Sequence, residues 1–311
     1  MKTLFLFILL PVCLFANAQQ RHEFYDWQWK RCDASQARFI ANIKKTDSGW
    51  LRFDYFAGNN QVQMMGLYRD SLCKIRNGYF KHFYADGSLE ISGRVIDSRN
   101  QGVWLYYHPN RMLRDSITYL DNKPVGISMS WYSNGYPADS TDYDSGVKVS
   151  WFDNGQPSQA GHLLHGKLHG KWQFFHKNGQ LAALEKYEEG KVLERKLYDE
   201  EGKEITDTNN INVEAEFKGG ASAWKKYMLK HIYFPGDYKI VNADIVTVVV
   251  SAIIDEDGNV TEPYVEIPFK DKFDEIALSI FKKCPKWKPA INHNRRVKQG
   301  IRQPVSFQQD N

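Results

Sequence analysis

Apolar and aromatic residues alternate with polar residues at two-residue spacing through most of the segment 78–205. Trp172 and Phe174 are one such pair, and the dipeptide Asn178-Gly179 follows them. This alternation places every second side chain on one face of a β-strand. Because an Asn-Gly dipeptide readily adopts the positive φ angles of a tight hairpin turn, the pattern predicts a succession of β-hairpins.

The alternating segments form a repeat of a glycine, aromatic residues and a closing Asn-Gly or Asp-Gly turn. Successive copies begin 24, 24, 20, 24 and 23 residues apart, and a fixed period of this length indicates a repeat array. A single hairpin cannot bury its aromatic face, so we expect stacked hairpins in an elongated, twisted ribbon. In the second copy, Arg111 replaces the closing glycine. The copies begin at Gly78, Gly102, Gly126, Gly146, Gly170 and Leu193.

The segment before the repeats has a mixed pattern. Residues 49–58 (GWLRFDYFAG) keep the nine-residue glycine spacing and are interpreted as a degenerate first copy, with 62–68 as its return strand. In the segment 34–45, Ala37, Ile40 and Ala41 have helical spacing. That spacing predicts a short helix there.

The last hundred residues have a different pattern. A helical stripe follows Ser222, a β-branched run at 245–254 turns at Asp257-Gly258 into a second strand, a helix begins at Asp271, and a strand closes the chain at 297–307. The order is α-β-β-α-β. The predicted fold is therefore a mainly β array of stacked hairpins, followed by a small α+β domain with a three-stranded antiparallel sheet and two helices.

The N-terminus has the pattern of a secretory signal. Lys2 precedes an apolar run from Leu4 to Phe15, and Ala16-Asn17-Ala18 fits the small-x-small cleavage rule. An uncleaved anchor is the alternative. The segment 206–212 is polar and turn-rich, which indicates a domain boundary. The predicted organisation is a signal peptide at 1–18, an N-terminal lead-in at 19–77, repeats at 78–205, a linker at 206–212 and a C-terminal domain at 213–311.

Composition and motifs exclude several classes of function. The formal net charge is only +4, whereas nucleic-acid-binding proteins usually carry a strong basic footprint. No phosphate loop, nucleophile elbow or HExxH helix occurs, so we predict a protein that is not an enzyme and needs no cofactor. After cleavage Cys32, Cys73 and Cys284 remain, and at most one internal disulfide can form.

Four histidines at 162, 165, 169 and 176 could suggest a metal site. No carboxylate or cysteine near them has suitable ligand spacing. His169 also precedes a leading glycine, at a junction between two repeats. We therefore expect these histidines to be structural and predict no metal site.

The repeat phrase, as in GYFKHFYADG at 78–87 and GKWQFFHKNG at 170–179, resembles the MORN-type repeat in its bacterial secreted variant. The resemblance covers about 78–205. It implies a scaffold or an interaction surface, as such arrays are in other proteins, and it identifies the fold more firmly than an activity.

The C-terminal block resembles the C-terminal domain of TonB-type energy transducers over about residues 224–307. It has the family's Tyr-Pro segment as 233–235 (YFP), its strand–Asp-Gly–strand hairpin at 253–260, its Pro-x-Trp-x-Pro segment as 285–289 (PKWKP) and its closing strand. Usual transducers have an uncleaved membrane helix and a long Pro/Lys-rich spacer, and here a repeat array takes that place. The matching positions are Tyr233, Pro235, Asp257, Gly258, Pro285, Trp287, Pro289, Pro304 and Phe307.

This resemblance implies binding of an outer-membrane receptor segment by β-augmentation, in which an extended peptide pairs with an exposed strand. Pro304, which has no N–H, fits an edge strand. The alternative is a structural strand whose edge another part of the chain covers. The residues expected to bind the peptide are Val297, Gln299, Ile301, Gln303 and Val305.

The predicted function is therefore that of a periplasmic TonB-like protein that supports transmembrane transport, with an outer-membrane association as a further expectation. A cell-envelope scaffold acting through the repeats is the alternative. Its expected partner is an outer-membrane receptor or another envelope protein. Eight basic residues between Lys282 and Arg302 could also meet an anionic glycan or lipid surface, although a solvated basic face is the plainer interpretation.

Overall fold

One antiparallel sheet of sixteen strands contains most of the protein, and each strand pairs with the next along the chain. The computed structural model describes residues 20–209, 211–241 and 243–309, and the predicted signal peptide lies outside them. The strands are β1 (Gln20–Tyr25), β2 (Phe39–Thr46), β3 (Gly49–Phe56), β4 (Val62–Tyr68), β5 (Arg76–Phe83), β6 (Leu89–Ile96), β7 (Arg99–Tyr107), β8 (Leu113–Leu120), β9 (Lys123–Trp131), β10 (Pro137–Asp142), β11 (Val147–Trp151), β12 (Pro157–Leu164), β13 (Lys167–Phe175), β14 (Leu181–Glu188), β15 (Lys191–Tyr198) and β16 (Glu204–Ile205).

Two small sheets and two helices follow the large sheet. The elements are β17 (Asn212–Val213), α1 (Gly220–His231), β18 (Ile245–Ile254), β19 (Val260–Ile267), α2 (Asp271–Lys282), β20 (Ala290–Asn292), β21 (Arg295–Val297) and β22 (Gln299–Gln308). One small sheet has the order β19-β18-β22 and the other β17-β20-β21. The predicted fold class is confirmed, since a hairpin array precedes a three-stranded antiparallel sheet with two helices.

The helix predicted at residues 34–45 is wrong. A single 3₁₀ turn at Ala34–Gln36 leads directly into β2. Phe39, Ala41 and Ile43 are buried at two-residue spacing, because β2 pairs with β1 on one side and β3 on the other. Pairing with neighbouring strands therefore overrides the helical spacing of Ala37, Ile40 and Ala41.

Each turn asparagine of the repeats both shapes its own turn and holds the next one. The Asn134 side chain accepts a hydrogen bond from the Tyr136 amide at 3.2 Å and donates one to the Asp153 carbonyl at 2.8 Å. Both bonds satisfy polar groups that successive turns would otherwise leave unpaired. The same link to the following turn is made by Asn59, Asn110, Asn154 and Asn178.

Three glycines inside strands provide space for aromatic rings of a neighbouring strand. An added Cβ would lie 2.1 Å from the Phe80 ring at Gly66 and 2.0 Å from the Trp104 ring at Gly93. At Gly161, the Trp172 ring would lie 2.2 Å away. These aromatic–glycine pairs recur along the array, so the glycines determine where the rings pack.

Arg111 adopts the backbone conformation of the glycine that it replaces. Its φ is +70°, whereas the closing glycines Gly135 and Gly179 have φ values of +87° and +89°. A left-handed conformation costs an L-residue roughly 1–2 kcal/mol. The second copy therefore keeps the repeat geometry at an energetic cost.

The C-terminal elements differ from the prediction at two points. Helix α1 begins at Gly220, two residues before Ser222, after which the helix was expected. The strand predicted at 297–307 is divided, because Val297 ends β21 and β22 begins at Gln299. The hairpin of β20 and β21 was not predicted.

The two faces of β18 contact different layers. Val248 and Val250 belong to a core with α2, which includes Phe273. On the opposite face, Val249 packs with Phe39 and Phe56 of the large sheet. We call the sixteen-stranded sheet, β1 to β16, the repeat body. The small sheet therefore lies between its own helices and the repeat body.

Candidate binding edge of the C-terminal sheet

Strand β22 is an edge strand of the three-stranded sheet. In the described part of the chain it pairs only with β18. The register is continuous from Ile245 opposite Gln308 to Ile254 opposite Gln299, with no bulge. One side of β22 is thus fixed along ten residues, while its other side borders no strand of the residues that the structure describes.

The register determines which backbone groups of β22 point outward. The Gln309 amide donates to the Asp244 carbonyl directly opposite, at 3.0 Å, so these two residues form a hydrogen-bonded pair. Since such pairs alternate in an antiparallel ladder, the odd-numbered residues of β22 bond to β18. The even-numbered residues point their backbone groups away from the sheet. Of these, Gly300, Arg302, Ser306 and Gln308 retain an amide donor.

Pro304 belongs to the outward-pointing set. It lies opposite Val249, which is not a hydrogen-bonded pair in this register. A proline there removes no bond of the ladder to β18, because its missing N–H would point outward. The position of Pro304 therefore fits an edge strand.

The side chains expected to bind a peptide lie on the helix face of the sheet. Val305 is fully buried, and Ile301 packs against the same core. The Trp224 indole donates to Gln303 Oε1 at 2.9 Å, and the Ala215 amide donates to Gln299 Oε1 at 2.7 Å. These side chains fix the strand from one face. Val297 is on β21, where it pairs with Ala290.

A groove of about 360 Å³ runs between β22 and the repeat body. Gly300 and Arg302 form its wall on the small sheet. His108 and Pro109, which follow β7, and Arg114 of β8 form the wall on the repeat body. Any strand added to β22 would therefore also meet residues of the repeats.

Arg302 is held by the Glu266 carboxylate on the groove face. Its Nε donates to Glu266 Oε1 at 2.8 Å, and the Ser251 hydroxyl donates to Glu266 Oε2 at 2.6 Å. The Arg302 side chain is still 48% exposed. Its position is thus fixed, while its outer face stays accessible.

The Asp-Gly turn and the Pro-x-Trp-x-Pro segment pack against each other. The Trp287 amide donates to the Gly258 carbonyl at 2.8 Å, and a Cβ on Gly258 would lie 2.1 Å from the Trp287 carbonyl oxygen. The Trp287 ring packs edge-on against Trp224, with centroids 5.1 Å apart. These motif residues build the domain interior on the helix side of the sheet.

The remaining motif positions are divided between interior and surface. Phe307 is fully buried and packs edge-on against Phe273 at 5.1 Å. Pro235 is buried, whereas the Tyr233 side chain is 59% exposed. Of the prolines that flank Trp287, Pro289 is half-buried and Pro285 is exposed; Asp257 is also exposed.

The hairpin of β20 and β21 inserts into the repeat body. His293 and Asn294 have φ values of +50° and +61°, as a two-residue type I′ turn requires. The His293 ring stacks on Phe174 with centroids 3.8 Å apart, and its Nδ1 lies 2.9 Å from Glu185 Oε2. Asn294 donates to the Tyr198 carbonyl at 2.9 Å. The hairpin thus ties the C-terminal domain to β13–β15.

Glu185 is a fully buried carboxylate at the centre of this contact. Arg195 Nε lies 2.5 Å from its Oε1, and the Tyr187 hydroxyl donates to it. Burial raises the pKa of Glu185, but hydrogen bonds from His293, Tyr187 and Arg195 outweigh it and lower the pKa to about 2. Because an ionised carboxylate only accepts hydrogen bonds, His293 Nδ1 must be the donor.

Arg295 is a second buried anchor of the same hairpin. It donates to Ser158 Oγ at 3.0 Å and to Gln159 Oε1 at 2.8 Å. Its guanidinium lies over the Phe174 ring, 5.4 Å from the centroid. Burial lowers the pKa of Arg295 to about 10.

The basic segment from Lys282 to Arg302 is largely engaged within the chain. Five of its eight basic residues make ion pairs or hydrogen bonds inside the protein. Several of these join the C-terminal domain to the repeat body, as Lys298 does with Asp153 at 2.7 Å. The five are Lys288, Arg295, Arg296, Lys298 and Arg302.

The histidines and cysteines have structural roles or none that the structure shows. His162 and His176 bond to the carbonyls of Ser145 and Tyr198 at 2.6 and 2.9 Å. Within residues 20–209, 211–241 and 243–309, no group of three or more His, Cys, Asp or Glu side chains could hold a metal ion. The three cysteines of the described chain are unpaired.

Across the described residues, no helix is long and apolar enough to cross a membrane.

Two family models match parts of the chain. Residues 246–308, from β18 to the end of β22, match the family described as the Gram-negative bacterial TonB protein C-terminal. Residues 168–189, N-terminal to that match, fit the MORN repeat variant. No curated protein matches the chain significantly. Both resemblances drawn from the sequence are thus confirmed over these residues.

The TonB match indicates the function of the chain in general terms. It suggests a TonB-like role in envelope transport and a periplasmic, envelope-associated location. Domains of this family are non-enzymatic and act in energy transduction and interaction, so the match implies contact with envelope or outer-membrane proteins.

Proposed function

We propose that the chain binds an extended segment of an outer-membrane receptor, which pairs with β22 as a fourth strand of the small sheet. The observation that carries this proposal is the row of outward-pointing backbone groups on β22. Their counterparts on the other side are fixed by a continuous register with β18. The Pro304 carbonyl accepts a hydrogen bond from Gln303 Nε2 at 2.9 Å. Unpaired N–H and C=O groups elsewhere on such an edge favour β-augmentation.

The edge is organised for this task before a partner arrives. Trp224 and Ala215 hold the side chains of Gln303 and Gln299, and Glu266 holds Arg302. An edge strand that is already ordered loses little conformational entropy on binding, so more of the backbone hydrogen bonding contributes to affinity. The receptor segment pays most of the ordering cost.

The repeat body takes the place of a spacer in this proposal. It holds the groove-side face of the small sheet through Val249 and the inserted hairpin with His293. The binding edge is therefore presented in a fixed orientation to the repeats. The proposed role is to support transport across the outer membrane.

Replacing Arg302 by proline tests the edge directly. Arg302→Pro removes one outward amide donor, whereas Arg302→Ala removes the same side chain and keeps the donor. Loss of one backbone hydrogen bond costs about 1 kcal/mol, and the proline ring also blocks the incoming strand. We expect Arg302→Pro to weaken binding of a peptide from a TonB-dependent receptor about tenfold or more relative to Arg302→Ala.

Fluorescence anisotropy with a labelled receptor peptide measures this difference. Circular dichroism of both variants serves as the control for folding. Equal affinity of the proline and alanine variants would contradict pairing at β22.

A scaffold function of the repeats is the second candidate, and one observation favours it. The residue after the leading glycine is apolar and exposed in four successive copies, in which Ile127 is 63% exposed. Such a row is typical of an interaction surface. If the repeats alone capture partners, Ile127→Ser will reduce partner crosslinking in cells and Arg302→Pro will not. The row consists of Tyr79, Val103, Ile127 and Val147.

A further inference from the structure

Gly300 is a strand glycine whose own surroundings do not require a glycine. Its φ is not positive, and no heavy atom of the described chain lies within 4 Å of the position that a Cβ would take. A glycine inside a strand weakens it by roughly 0.5–1 kcal/mol relative to alanine. Such a glycine often marks a place where a ligand or another chain approaches closely.

The space above Gly300 belongs to the groove between β22 and the repeat body. Gly300 lies opposite Ile253, and both line the groove with Tyr264 of β19. His108 and Pro109 form the opposite wall. The missing side chain therefore opens a slot at the edge where a strand would add. Ile253, Tyr264 and Pro109 give this slot an apolar and aromatic part, and charged side chains such as Arg114 and Arg302 also line the groove.

The repeat body shows what such a glycine accepts elsewhere in this chain. Gly66, Gly93 and Gly161 each lie under an aromatic ring of an adjacent strand, within 2.0–2.2 Å of the Cβ position. An aromatic residue beside a strand glycine covers the exposed backbone and restores packing that glycine lacks. Gly300 differs from them because the described chain places no ring on it.

We propose that the strand added to β22 carries an aromatic residue opposite Gly300. Its ring lies in the slot, over Gly300 and against His108 and Pro109. This inference rests on the proposed function and specifies the partner as an extended peptide with one aromatic residue at a fixed register. In this arrangement the repeat body forms one wall of the specificity pocket.

A randomised octapeptide library displayed on phage, selected against the full-length chain, tests the inference. Selected peptides are assayed for slowed amide exchange on β22. We expect an aromatic residue at one fixed position, and we expect its replacement by alanine to weaken binding about tenfold, since the contact contributes about 1.4 kcal/mol. In Gly300→Val the slot is filled, and the same replacement should change binding less than about twofold.

Gly236→Val is the matched control, because Gly236 also has no neighbour within 4 Å of a Cβ and lies outside the groove. It should keep the aromatic preference. Peptides that protect β22 without an aromatic preference, or with a preference that survives Gly300→Val, would overturn the inference and leave β-augmentation standing. A selection that yields no peptide protecting β22 would overturn both.

Discussion

Replacing Gly161 by alanine is expected to destabilise the repeat body by about 2–3 kcal/mol. The new Cβ would lie 2.2 Å from the Trp172 ring. That ring is fully buried, donates to the His162 carbonyl at 3.0 Å and stacks on Phe174, so it cannot move aside cheaply. Overpacking of this kind typically costs 1–3 kcal/mol and exceeds the gain that alanine brings to a strand.

Urea unfolding followed by tryptophan fluorescence measures the effect on the free energy of unfolding. Gly300→Ala is the matched control, because its Cβ meets no atom of the described chain and its stability should be unchanged or slightly higher. The packing account fails if both alanine variants are equally stable. It is also wrong if Trp172→Leu does not relieve the cost of Gly161→Ala, since a shorter side chain removes the clash.

Glu185→Gln should destabilise the contact between the C-terminal domain and the repeat body by about 3 kcal/mol. The carboxylate is fully buried and bonds to both Arg195 and His293. Removing one partner of a buried ion pair leaves the other charge uncompensated, which typically costs 3–5 kcal/mol. Native-state hydrogen exchange of the Phe174 amide reports the free energy of local opening.

Glu194→Gln is the control for this substitution. Glu194 pairs with Lys186 at 3.3 Å, but its side chain is 73% exposed. Exposed ion pairs contribute about 0–1 kcal/mol. Similar losses in the two variants would show that the buried network does not hold the contact.

The same network predicts a dependence of stability on pH. The pKa of Glu185 is about 2 in the folded protein, below its ordinary value of 4.5. A carboxylate with a lowered folded pKa stabilises the protein above pH 4.5, and this contribution is lost as the pH falls towards 2. The difference in stability between wild type and Glu185→Gln should therefore shrink across that window. A constant difference from pH 7 to pH 2 would contradict the assignment.

The repeat fold could be predicted from sequence because its signals are local. Alternation around Trp172, a turn at Asn178-Gly179 and a fixed period each lie within one copy. The order of α1, β18, β19, α2 and β22 followed from similar short patterns, whereas β17, β20 and β21 did not. The helix predicted at 34–45 failed because the helical spacing of Ala37, Ile40 and Ala41 overlaps a two-residue spacing through Ile43, and pairing with adjacent strands decided between them.

The contact between the repeat body and the C-terminal domain could not be predicted from such local patterns. Glu185 and His293 are 108 positions apart, and Arg38 bonds to the Thr247 carbonyl across 209 positions. Residues on one chain segment carry no sequence signal for partners at such separations. For the same reason, the basic residues from Lys282 to Arg302 were expected to form a solvated face or to meet an external anion, whereas five of the eight bind groups within the chain.

The candidate edge was only partly visible in the sequence. Pro304 indicated an edge strand, but the residues expected to bind were chosen along the strand without knowledge of its register. The pairing of Gln309 with Asp244 places the outward donors on the even-numbered residues, among them Gly300 and Arg302. A shift of one residue in the register would exchange the inward-pointing and outward-pointing residues. The alternation of residue types in the sequence does not specify that register.

Residue-resolved amide exchange along β22, with and without a peptide from a TonB-dependent receptor, tests the central claim most directly. In the free protein, the amides of Gly300, Arg302 and Ser306 should exchange fast, while those of Ile301 and Gln303 should be protected by β18. The peptide should slow the first group selectively. Unchanged exchange at the even-numbered amides in the presence of bound peptide, or their protection in the free protein, would contradict an open binding edge on β22.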